Sequence, residues 1–129
     1  MKVKKSFWAE IALGFREGYT QKTHVIEEAY GICHQYCDKV GLCVTVTPTR
    51  FIYSRGGGIE DGYEDGCFVR LIAYPRFPQS RFDIVGLALD LAKMLMKHFG
   101  QNRVSVITSD QTYLIEKEDL DKMGQVWYN

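Results

Sequence analysis

Apolar side chains recur at three- and four-residue steps over two stretches of this chain; elsewhere they alternate or cluster as strands do. From Thr23 onward, Val25, Ile26, Ala29, Tyr30, Cys33, Tyr36, Cys37 and Val40 fall on one stripe of a helix, and Gly41 stands where a C-cap would end it. Ile84, Leu87, Ala88, Leu91, Ala92, Leu95 and Phe99 mark a second amphipathic helix. It is opened by a Ser80-x-x-Asp83 capping pattern and closed by Gly100. Two helices with one apolar face each need a sheet, or each other, to bury that face.

The segments between them supply strands. Residues 1–7 read as a loose lead-in. Ile11-Ala12-Leu13-Gly14-Phe15 is a short apolar run leading into a turn. Leu42, Val44 and Val46 alternate with Cys43, Thr45 and Thr47. Pro48 interrupts that alternation, which implies a bulge or an edge position, and Arg50–Tyr53 continues the run. Residues 55–66 hold several glycines and acids and read as an open loop. Cys67–Tyr74 is a strong strand, Tyr74–Pro78 is extended, and Arg103–Thr108 with Thr112–Ile115 makes a hairpin across Ser109-Asp110-Gln111. Residues 117–129 read as an acidic tail with some helix around Leu120. The expected fold is α+β: one domain over 1–129, with a mostly antiparallel, Greek-key-like sheet of five to six strands under two amphipathic helices. Two helices cover one sheet face at most, so the other meets solvent, a partner subunit or a ligand.

Composition narrows the functional classes. Sixteen basic and sixteen acidic residues balance, which argues against a binder of nucleic-acid polymers. No apolar run approaches the roughly 20 residues a membrane helix needs. Glu10, Arg16 and Glu17 break any signal-peptide core after the basic start, so a cytoplasmic location and reduced cysteines are expected. Cys33 and Cys37 lie on the helical stripe, where small thiols pack well, and this reading is preferred to a metal site. His24, His34 and His98 sit in no catalytic signature and read as exposed or capping residues. Glu60-Asp61 and Glu64-Asp65 read as solvated acids of the loop, or a weak cation site at best. Arg55-Gly56-Gly57-Gly58 lacks the flanking strand and Gly-Lys-Ser/Thr of a phosphate loop. Arginines at element ends, namely Arg16, Arg76 beside Phe77, and Arg103, suit a small anionic ligand that carries a base.

The run from Tyr30 to Tyr53 resembles the first described family of Thoeris anti-defence proteins, which are phage-encoded. Leu71–Pro78, Gln101–Val106 and Asp110–Tyr113 extend the resemblance, which covers about Gly14 to Glu116. In Thoeris, a TIR-domain protein makes a glycocyclic ADP-ribose signal that activates an NAD-depleting effector. The resemblance implies a sponge in the host cytoplasm that sequesters this signal without cleaving it, hence no enzyme, no metal and no cofactor. Some members also take cyclic oligonucleotides, and the family assembles as dimers or larger homo-oligomers. Carried onto this chain, Arg16, Arg76 and Arg103 would meet phosphate and ribose oxygens. Phe77 would wall the adenine, and Tyr53, Asp110 and Thr112 would bond ribose or base. The long acidic 55–66 stretch departs from the family pattern. The rival expectations are an enzyme that degrades a cyclic nucleotide signal, with His24 or His34 and a loop acid as acid–base groups, and a protein-interaction inhibitor of a host defence protein.

Overall fold

The computed structural model describes residues 1–54, 56, 61–73 and 81–121, with backbone only at Asp61, Arg81, Phe82 and Asp121. The elements run β1 (Trp8–Gly14), α1 (Ile26–Val40), β2 (Val44–Ser54), β3 (Asp61–Ile72), α2 (Arg81–Phe99), β4 (Arg103–Thr108) and β5 (Thr112–Glu116). A short 3-10 helix, Lys117–Asp121, opens the stretch read as a tail. The strands form one sheet in the order β2-β3-β1-β4-β5, antiparallel at every pairing. The expected α+β class holds. The connections between non-adjacent strands run through the helices: β1 reaches β2 through α1, and β3 reaches β4 through α2. This is the split βαββαβ arrangement of ferredoxin-like folds, with β5 added at one edge.

Period-2 burial explains why the strands lie as they do. Ala9, Ile11 and Leu13 of β1, Cys67, Val69 and Leu71 of β3, and Val104 and Val106 of β4 point under the helices and are buried. Helix α2 covers β1 and β4, while α1 packs on β2 and against α2. The apolar stripes of the two helices meet this layer through Ala29, Cys33 and Tyr36 on one and Ile84, Ala88, Leu91, Ala92, Leu95, Met96 and Phe99 on the other. The four thiols are free, and Cys33 and Cys67 are buried. Burial pushes both up to about 12, well outside the range of a reactive thiolate. Gly41 ends α1 in the left-handed region, φ 71°, and its N–H reaches the Cys37 carbonyl. Ser80 of the expected capping pattern lies outside the described residues.

One local expectation holds in part and another changes. Pro48 takes the expected edge position and Arg50–Tyr53 continues the strand, but Pro48 does not interrupt β2. It sits opposite Cys67 on an edge strand, where its missing N–H costs no ladder bond. The second half of the expected 55–66 loop is strand: Asp61–Gly66 pairs with Thr49–Ser54, from Thr49↔Gly66 to Ser54↔Asp61. Glycine and acids score poorly as strand formers in isolation, but cross-strand partners decide the outcome here. Arg50 pairs with Asp65 at 2.8 Å. The rings of Tyr53 and Phe51 lie where Cβ atoms on Gly62 and Gly66 would be, so these glycines admit the aromatic cover that pins the arm.

Candidate functional site

An open cleft of about 640 Å³ lies at the end of the sheet where β1 leaves and the β2–β3 arm projects. After Gly14 the chain turns back on itself. Phe15 N–H donates to the Asp65 carbonyl, Glu17 N–H to Lys22 and His24 N–H to Phe15, so His24 is laid beside Phe15 at the entrance to α1. Phe15, His24, Val25 and Ile26 form one wall; Pro48, Thr49, Tyr63, Glu64 and Gly66 form the other.

Glu64 is the side chain this geometry singles out. Its Oε2 accepts the Arg16 backbone N–H at 2.8 Å, which fixes the carboxylate at the cleft. The carboxylate lies over Gly14, where any Cβ would displace it. Beside it, the Arg50 guanidinium stacks 4.3 Å from the Tyr63 ring centroid while its Nε donates to Asp65. The cleft thus joins an aromatic edge, an anchored carboxylate and further acids, Glu27 and Asp65, with Arg16 and His24 as the basic groups lining it.

A second cluster adjoins the cleft through His24. Its Nδ1 lies 2.9 Å from Glu28 Oε1 and its Nε2 lies 3.1 Å from Glu17 Oε2, while His98 Nε2 lies 2.9 Å from the same Glu28 oxygen. The other oxygen of Glu28 accepts the Val25 N–H that opens α1. Hydrogen bonds from His24, Val25 N–H and His98 hold the Glu28 carboxyl down at about 2, and His24 and then Lys22 keep Glu17 below the usual carboxylate range. Both carboxyls are more acidic folded than unfolded. Their contribution to stability is therefore fully present above about pH 4.5 and is lost as pH falls from there toward 2. In metal-free protein, the melting temperature is expected to fall across that window. Circular dichroism should show a shallower fall in Glu28→Gln, and identical profiles would remove this network from the account of acid stability.

The structure distributes the expected site residues unevenly. Arg16 lines the cleft, though its backbone does as much as its side chain. Arg103 starts β4 on the same sheet end, exposed and outside the cleft lining. Tyr53 stands half-exposed on the arm over Gly62. Asp110 and Thr112 lie at the other end of β4, in a turn where the Thr108 hydroxyl donates to Asp110 at 2.9 Å. Five strand steps, about 17 Å, separate the two sheet ends. Arg76 and Phe77 lie outside the described residues. Glu64, Tyr63 and the Glu17–His24–Glu28–His98 network were not singled out in the sequence. The one available signal was the complementarity of Arg50 and Asp65, which would have made 61–66 a strand.

No protein-family model matches the chain, and no curated protein sequence does. Two solved structures share its fold. A phage SAM lyase in complex with S-methyl-5′-thioadenosine superposes with a TM-score of 0.72 at 21% identity, over 96% of this chain and 93% of that one. A phage SAM lyase in its apo state gives 0.71 at 21% identity, over 95% and 92%. The chain therefore has a fold carried by phage proteins, and the likeness does not extend to the Thoeris family in particular. It also overturns the expectation that this protein is no enzyme. That expectation rested on the resemblance to a sponge family together with the lack of a catalytic signature, and the same architecture is carried by a phage lyase. Among the described residues, no helix is long and apolar enough to cross a membrane.

Proposed function

We propose that this chain is a phage-encoded enzyme that binds S-adenosylmethionine in the Glu64 cleft and cleaves it. Formation of S-methyl-5′-thioadenosine breaks the bond between the sulfonium sulfur and the methionyl side chain. The electron pair stays on sulfur, which becomes a neutral thioether, and the amino-acid fragment completes its valence by internal attack of its own carboxylate or by loss of a neighbouring proton. Such a substrate carries positive charge at sulfur and at its ammonium group, with an adenine to stack. The observation that supports the reading is the Glu64 carboxylate, anchored by the Arg16 N–H beside the exposed Tyr63 ring. Glu64 faces the cation, and the aromatic edge offers the adenine a surface.

A second reading is supported by the sequence resemblance over Gly14–Glu116: glycocyclic ADP-ribose, with or without cyclic oligonucleotides as further ligands, taken up by a homo-oligomer in the host cytoplasm to silence Thoeris. Its pyrophosphate is anionic, and Glu27 and Glu64 would repel it from this cleft. That ligand would need the arginines at element ends instead.

One assay separates the two. Purified protein is incubated with either compound, filtered and heat-denatured, and the products are identified by mass spectrometry. S-methyl-5′-thioadenosine from S-adenosylmethionine supports the first reading. Capture of glycocyclic ADP-ribose with S-adenosylmethionine left intact supports the second and overturns the first.

A further inference from the structure

We infer that His24, Glu28 and His98 form a binding site for a divalent transition-metal ion of the zinc type, a property independent of what the cleft binds or cleaves. Three parts of the fold supply the donors. His24 ends the turn before α1, Glu28 lies in the first turn of that helix, and His98 lies in the last turn of α2. One ligand atom from each of the three lies within 4.8 Å of the others. Two of the separations are 2.9 Å, both to Glu28 Oε1. A tetrahedral zinc ion with bonds near 2.1 Å spaces its ligands by about 3.4 Å. The two separations to Glu28 Oε1 therefore open by about half an ångström and the two imidazole nitrogens, within 4.8 Å of each other, close toward the same spacing, which side-chain rotation supplies.

The surroundings are those of a ligand set rather than of three side chains that happen to meet. His24 turns its second nitrogen to Glu17 Oε2 at 3.1 Å, and Glu17 is itself held by Lys22 at 3.3 Å. A carboxylate behind an imidazole selects the tautomer with Nε2–H donating, which leaves the Nδ1 lone pair aimed at the centre of the cluster. Glu28 divides its oxygens: Oε2 is engaged by the Val25 N–H, and Oε1 faces both imidazoles. The His24 side chain is only 9% exposed and rests against the Phe99 ring at 4.8 Å, so its orientation is set by packing. His98 is 46% exposed, which gives an ion a way in from solvent. Two imidazoles and one carboxylate favour zinc, with cobalt and nickel as substitutes, over calcium or magnesium. The ion replaces the protons that otherwise join the two rings to Oε1. Three protein donors leave at least one coordination position open, next to a cleft that His24 also lines.

The test uses the full chain, stripped with chelator, and needs no turnover. Zinc is titrated by calorimetry, and cobalt is followed by the visible absorption of a four-coordinate centre. One equivalent is expected to bind. His98→Ala, at a largely accessible position, should weaken binding at least 100-fold while circular dichroism stays native. Glu17→Gln should weaken it 10- to 100-fold, because it loses only the group that orients His24. His34→Ala, exposed on α1, should bind as the parent does. No uptake by the parent, equal uptake by His98→Ala, or loss of uptake in His34→Ala would each overturn the assignment.

Discussion

Glu64→Gln is expected to lower S-adenosylmethionine cleavage by about 100-fold with no change in fold. Glutamine keeps the size of the side chain and an oxygen to accept the Arg16 N–H seen at 2.8 Å, but it removes the charge that faces a sulfonium or ammonium group. An interaction with a charged partner is worth about 1.5–3 kcal/mol, and each 1.4 kcal/mol is tenfold, so the loss lies between tens and hundreds. A companion variant changes the position of that charge and not its sign. Gly14→Ala places a methyl group where the Glu64 carboxylate now lies, so the carboxylate must leave, and activity should fall comparably. Arg103→Ala, exposed at the start of β4, should leave cleavage near the parent rate. The same substitution would abolish capture of glycocyclic ADP-ribose if that were the ligand, since the arginine would then meet phosphate. Steady-state product formation by mass spectrometry reads all three variants. Full activity in Glu64→Gln would remove this carboxylate from the site.

The parts of this architecture that were legible in the sequence are those whose signal is long and one-sided. The α1 and α2 stripes bury most of the residues that the period marks, although Val25 and Tyr30 are exposed and Met96, which the period did not mark, is fully buried. The β4–β5 hairpin follows from two β-rich runs around Ser109-Asp110-Gln111, where the Thr108 hydroxyl closes the turn. What stayed hidden depends on partners distant in sequence. Asp61–Gly66 is strand because Arg50, Phe51 and Tyr53 lie across from it, and local propensity carries no trace of that pairing. Glu64 was read as a solvated loop acid for the same reason: its role depends on the Arg16 N–H, 48 residues away. His24 and His98 look like unrelated polar residues until the chain reversal after Gly14 and the end of α2 bring them together around Glu28. Arginines at element ends were visible, but sheet register decides which end they occupy, and it parts Arg16 from Asp110 and Thr112.

Phe99→Ala should cost about 3–5 kcal/mol of stability, the usual range for deleting a buried aromatic ring. Phe99 is fully buried at the last position of α2. Its ring stacks on Phe15 at a centroid distance of 5.7 Å and meets the rings of His24 at 4.8 Å and His98 at 5.3 Å. Total stabilities of single domains are about 5–15 kcal/mol, so this one change removes a large share. For a chain of this length the melting temperature should drop by about 10–25 °C. The position also links the core to the site, because Phe15 and His24, which both rest on this ring, line the cleft. Phe99→Leu restores most of the apolar volume and should recover most of the stability, but not the flat surface against which the two imidazoles rest. Chemical denaturation of both variants separates these contributions. A loss below about 1 kcal/mol in Phe99→Ala would mean that the ring is not packed as described. With the fold largely recovered in Phe99→Leu, weaker zinc uptake in that variant would trace the orientation of His24 to the core ring itself.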